Sequence, residues 1–361
     1  MESLSERIGD PGGLSSRYHF GERSNEKMRA PWSFEKSRKH ALTELRGGMR
    51  IELRVRQFEE RLASTTASPQ MIALAAFDSV SSSRLHEACA ISNLPDRIQC
   101  LRRIHVCWRY SAFGWKAYLH RAEQLATEFP KKAFHRSLPI GDIDVNYSSR
   151  ILMTMALASV LGEDDVHDWF GNRCLQMLDL NEPYVDPEAW KMGPLQPFLT
   201  WLFCKWKHAE ERFRSLGTGN LGPFQCVVDA WNSPEDLDKA IQSLCDLHVR
   251  KVLQILKPDD DFIFGLAVGI GYYVPIEILY LQRIRKELGL SVPQPEHPFL
   301  SQPMAKIPFP CPRSGYDPFI AKSMQLCRIA MPDLAVPWED RFQVGGPDTS
   351  WIQELDLAKL K

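Results

Sequence analysis

The sequence predicts an all-α protein: a compact multi-helix bundle with a Pro-rich extended C-terminal arm. Three observations predict it. Apolar residues recur at intervals of three and four over much of the chain, the spacing of one helix face. Ser-Pro pairs open two of these runs, supplying an N-cap and a proline at the first helical position, where no N–H is needed. No window shows sustained two-residue alternation rich in β-branched residues, and Asn-Gly and Asp-Gly turns are absent, so strands should be few. Successive helix pairs would also suit a solenoid, but no repeat at a fixed period occurs, which favours the bundle.

Residues 1–30, with Gly9, Gly12, Gly13 and Gly21 among scattered charges, read as a flexible leader. A first helical region is expected over 31–145. In it Ala41, Leu42 and Leu45, then Ile51, Val55, Phe58 and Leu62, mark two helices separated at Gly47-Gly48, and Ser68-Pro69 starts another. The clearest run is Leu101, Ile104, Trp108, Ser111, Trp115 and Leu119, one long helix ending before Pro130.

A central region is expected over 146–290. Ile151 to Leu161 is almost wholly apolar, and Val166, Phe170, Cys174 and Met177 continue after Gly162, which predicts a helical hairpin. Ser233-Pro234-Glu235-Asp236 combines a cap, a proline and early acids that suit the positive helix end, followed by Leu237, Ile241, Leu244, His248, Val252 and Ile255 on one face. Phe262 to Leu281, apolar except for Glu277, is long enough to span a bilayer. Three glycines and Pro275 interrupt it, so a buried core helix is the preferred reading.

The last region, 291–361, begins with seven prolines between Pro293 and Pro312, a density that favours extended, polyproline-like backbone wrapped on the helical body. Ile320, Met324, Cys327 and Met331 then predict one short helix before a tail that Trp338 and Trp351 would anchor.

Of 361 residues, 44% are apolar and 25% charged, the balance of a folded globular chain. With 44 Lys+Arg against 45 Asp+Glu the net charge is -1, which argues against broad nucleic-acid binding. The nine cysteines form no CxxC pair and no zinc-like cluster. Together with a first stretch lacking the order of a secretory signal, this predicts reduced thiols, a cytoplasmic location and no membrane attachment.

Candidate chemistry is sparse. Glu163, Asp164, Asp165, His167 and Asp168 crowd a helix start and would suit a metal-dependent hydrolase, yet capping and the macrodipole explain acids there better. His248 stands two residues from Asp246, a spacing that keeps them apart on a helix, and His208 lies near Glu210 and Glu211 on a charged segment. Arg46, Arg50 and Arg54, with Arg56 and Arg61, would suit a nucleic-acid adaptor, but Glu44, Glu52, Glu59 and Glu60 interleave them. No serine elbow, phosphate loop or HExxH motif occurs, so neither an enzyme nor a cofactor is expected.

Between Glu163 and Glu188 eight acids face the single base Arg173. Such an imbalance suits steering toward a basic partner, with a solvated face that serves only solubility as the alternative. Glu163, Asp164, Asp165 and Asp168, joined by Asp259, Asp260 and Asp261, are therefore the candidate protein-contact residues.

Two stretches, Ala240 to Val252 (AIQSLCDLHVRKV) and Gly265 to Leu281 (GLAVGIGYYVPIEILYL), resemble the all-helical immunity proteins of bacterial polymorphic-toxin systems, most nearly the immunity protein 49 family. They cover less than a tenth of the chain, and the Pro-rich arm departs from that family. The resemblance implies a protein that binds and neutralises a cognate toxin domain by protein–protein contact, with no active site to transfer.

Overall fold

The computed structural model describes residues 33–47, 51–64, 69–92, 97–128, 147–179, 194–216, 221–255, 271, 273–314 and 317–332. Among them the chain is 79% helix in 13 α-helices, with no strand. The leader 1–30, the acids Glu182, Asp186, Glu188 and Asp259 to Asp261, and the tail with Trp338 and Trp351 lie outside the described residues. Residues 33–361 cluster as one compact unit.

Helix α1 (Phe34–Arg46) is capped by Ser33, whose Oγ accepts the Lys36 N–H at 3.4 Å, and stops at Gly47. Helix α2 (Ile51–Ser64) follows after the expected break. Because the break falls between Arg46 and Arg54, the four-residue spacing of the arginine stripe does not run along one helix. Arg46 is exposed at the end of α1, and Arg56 and Arg61 are exposed on α2.

Helices α3 (Pro69–Ile91) and α4 (Arg97–Glu128) form an antiparallel pair that organises the first half of the fold. Ser81 faces Cys107 at 3.2 Å, and Phe77 packs on Tyr110 and Phe113. Ala88 on α3 is buried, and its carbonyl accepts the Cys100 thiol of α4 at 3.4 Å. The face read from sequence on α4 is buried at Leu101, Ile104, Trp108, Trp115 and Leu119, and half-buried at Ser111. Each large apolar side chain so enclosed contributes about 1.5–3 kcal/mol.

Helices α5 (Tyr147–Leu161) and α6 (Asp164–Asp179) form the expected hairpin around Gly162. Gly162 has φ +83°, which L side chains avoid, and its hydrogen has the Phe309 ring directly beside it: a Cβ would lie 2.8 Å from that ring. Helix α7 (Leu195–Trp206) packs on α5 and α6, and the short α8 (Glu210–Ser215) folds back on α7. His208 sits between them at φ 53°, exposed in a turn rather than on a helix face.

A 3-10 turn (Gly222–Phe224) and α9 (Gln225–Asp229) lead into α10 (Pro234–Ile255), where the Asp236 N–H donates to Ser233 Oγ at 3.4 Å and Ser233 Oγ–H donates back to Asp236 Oδ2 at 2.8 Å. Leu237, Ile241, Leu244 and His248 are buried along one face of α10. Helix α11 (Ile276–Glu287) packs on α5 and α7. It corrects the expectation of one core helix over Phe262 to Leu281: Tyr273 to Pro275 is a turn and the helix begins at Ile276. Proline lacks the N–H for a helix interior and opens this one instead.

Residues 291–297 have no regular secondary structure, a single turn α12 (Pro298–Ser301) and a 3-10 turn (Pro303–Ala305) follow, and the chain is non-helical again over 306–314. This segment buries Pro293, Pro295, Phe299, Met304 and Cys311. Helix α13 (Pro318–Ala330) closes on α2 and α3 with Ile320, Met324, Cys327 and, just past its end, Met331 buried.

Candidate functional site

The start of α6 carries the acids singled out in the sequence, and the structure separates them. Glu163 holds the cap position, its carbonyl accepting the His167 N–H at 2.9 Å. Its side chain is 1% exposed. Oε1 receives His105 Nε2 at 3.1 Å and Arg313 Nε at 3.0 Å. Glu163 therefore faces the interior and does not join the acidic surface.

Asp164 and Asp165, in the first turn of α6, are exposed. Asp164 Oδ1 stands 3.5 Å from Arg283 Nη2 and keeps half its side-chain area in solvent. Asp168 is 38% exposed and is paired with Lys207 Nζ at 2.7 Å, while Asn172 Nδ2 donates to it at 3.0 Å. The candidate contact face is thus Asp164 and Asp165, with Asp168 partly neutralised at its edge.

His167 points the opposite way. Its ring is 0% exposed among Phe203, Trp206 and Tyr280, with Nε2 2.7 Å from the Tyr280 hydroxyl. Burial, helped by the cations Arg283 and Lys207, pulls its pKa down to about 3. Glu163, Asp164, His167 and Asp168 each take a different partner, so the cluster does not converge on a point where a metal would sit. Among the described residues no group of three or more His, Cys, Asp or Glu is placed to hold one.

A second polar centre joins the two segments that carry the family resemblance. His248 Nδ1 lies 2.5 Å from Glu277 Oε1, with the two side chains 0% and 2% exposed. Phe299 packs against the imidazole with centroids 4.5 Å apart. Asp246 is turned outward to His297 Nε2 at 3.3 Å, as its two-residue offset from His248 requires. Glu277 was legible as the lone acid of an apolar run, which obliges a buried partner.

The largest polar centre was not read from the sequence. Arg84 pairs with Glu87 at 2.7 Å and Asp317 at 3.5 Å, and Arg103 Nε meets Glu87 at 3.3 Å. The Tyr110 hydroxyl donates to Asp317 at 3.3 Å, and Arg109 Nη1 donates to Ser314 Oγ at 2.9 Å. Burial lowers the pKa of Arg109 to about 10 despite Asp317, Tyr110 and Glu163 nearby. The signal available was the density of basic residues within the α4 face itself: Arg103, His105 and Arg109 stand between its buried tryptophans and leucines.

An open groove of about 450 Å³ lies where α9 meets α10, lined by Cys226, Asp229, Asp236, Lys239 and Ser243. Among the described residues no helix is long and apolar enough to cross a membrane. Compared with known proteins, the chain matches no family model, no curated protein and no solved structure.

Proposed function

We propose that this chain is an immunity-type protein that binds and neutralises a cognate toxin domain by direct contact, using the exposed carboxylates at the start of α6. The observation that supports this reading is the placement of Asp164 and Asp165. They stand in solvent on a helical hairpin packed against α7 and α11. A fixed pair of acids steers a basic partner and sets its orientation without ordering cost on this side. The reading is of a stoichiometric binder rather than an enzyme, and the dispersal of the Glu163–Asp168 side chains supports it over the hydrolase alternative. The nine free thiols support a reducing compartment, and the reading places the protein in the cytoplasm.

The test is co-expression with a toxin domain encoded beside its gene. Survival of the host, with a one-to-one complex in solution, is the expected result. Continued killing alongside abundant folded protein, with no complex, would sink it.

A further inference from the structure

Among the described residues Phe309 is the one large aromatic side chain left exposed, at 43%. Its neighbours Pro308 and Pro310 are exposed too, while Met304 and Cys311 of the same segment are buried. Fully enclosing such a ring contributes about 1.5–3 kcal/mol, and the fold leaves part of that gain unused.

The ring is also held in place. The Arg283 guanidinium lies over it, 3.3 Å from its carbon to the ring centroid. The ring edge abuts Gly162, where a Cβ would come within 2.8 Å. Arg283 is fixed in turn by Asp164 at 3.5 Å and by Glu287. A side chain already ordered in the free protein loses little freedom on docking, which removes one of the costs of association. The same contacts set Phe309 beside the acids at the start of α6, because one guanidinium joins the ring to Asp164, and Asp165 is next in the chain. Cations complete the border. Lys286 Nζ is 6.0 Å from the ring centroid, and Arg313, 58% exposed, pairs with Glu163, the residue after Gly162. A desolvated aromatic centre inside a charged rim is how protein-contact surfaces are built.

We propose that Phe309 is the apolar anchor of the toxin-contact face whose acids are Asp164 and Asp165, an inference that rests on the immunity reading. The partner it fits is a toxin domain with an apolar pocket for the ring, basic groups for the two acids, and a carboxylate within reach of Lys286 and Arg313. The anchor and the rim then act on different rates: the acids govern encounter, and the ring governs how long the complex lasts.

Surface plasmon resonance of the full chain over an immobilised, catalytically inactive form of the toxin domain encoded beside its gene tests this. Phe309→Ala should dissociate at least about tenfold faster than the wild type, with association within about threefold. Wild-type binding with unchanged dissociation in the variant overturns the anchor and leaves the immunity reading standing, whereas no binding by the wild type overturns that reading and the anchor with it. Should the variant fail to fold, hydroxyl-radical footprinting of the wild type decides the matter. Oxidation of Phe309 that falls when the toxin domain is added supports the anchor, and undiminished oxidation in a formed complex overturns it. Sedimentation of the chain alone covers the other occupant: a dimer that Phe309→Ala dissociates would assign the ring to a second copy of the chain and overturn the proposal.

Discussion

His167 shows how a residue chosen as a candidate ligand becomes part of the core. Enclosed by three aromatic rings, it stays neutral at neutral pH, whereas the unfolded chain takes up its proton near pH 6.5. Between that value and the folded value of about 3 the unfolded state binds more protons, so stability drains as the pH falls through this window. Replacing His167 by Phe removes the drain but leaves the Tyr280 hydroxyl unpartnered, at about 1–2 kcal/mol. The variant should melt lower at neutral pH and lose less on acidification, as a pH series of calorimetric scans would show. Gly171 makes a complementary case on the same helix. A Cβ there would run into the Phe203 ring, so Gly171→Ala should destabilise by about 1–3 kcal/mol through overpacking, despite the better helix propensity of alanine. Denaturant melts giving an unchanged or raised midpoint would contradict this.

At the scale of elements, caps and paired charges set the ends of helices. Ser233→Ala removes the acceptor for the Asp236 N–H and should cost about 1 kcal/mol, a change within reach of chemical denaturation. Asp317→Ala is a harsher test, because Arg84 and Tyr110 would lose their shared acceptor in the interior. Breaking such a buried arrangement costs about 3–5 kcal/mol, and a loss under about 1 kcal/mol would mean that water fills the gap. The same elements show what was legible. Helix α4 was readable because its buried positions recur at three and four, and α10 because a Ser-Pro pair and acids announce its start. Helix α3 was not traced along its length, because it presents apolar or small residues on every side and no face stands out. The polar centre was hidden for another reason: His105 and Ser314 are 209 residues apart, and no local pattern links them. Glu163 was taken with its acidic neighbours, yet it stands one residue before α6, where the chain turns inward after Gly162.

For the molecule as a whole, near-zero net charge leaves local fields to decide what approaches. Asp164 and Asp165 are exposed and Asp168 is partly screened by Lys207. Reversing Asp164 and Asp165 to lysine should therefore slow association with a basic partner about tenfold at low salt and flatten the salt dependence, with dissociation changed less. Surface plasmon resonance at two ionic strengths reads both constants, and identical association rates would remove this face from the interface. Reversal of Asp168 is the weaker probe, since it also sets a lysine against Lys207.

The distribution of thiols has a practical consequence. Eight of the nine cysteines are buried and Cys226 alone is exposed, and burial pushes the thiols of Cys100, Cys174, Cys245 and Cys311 up to about 12. A small thiol-specific reagent thus meets one accessible sulfur at the outset, which calibrates the reagent in every sample. Each later addition is then a timestamp for an opening event, read by mass spectrometry without any engineered label. Cys311, carried on the segment across α4, keeps the clock for that segment, while Cys204 inside α7 keeps it for the whole chain. The interval between their two labelling times measures how far one can open ahead of the other.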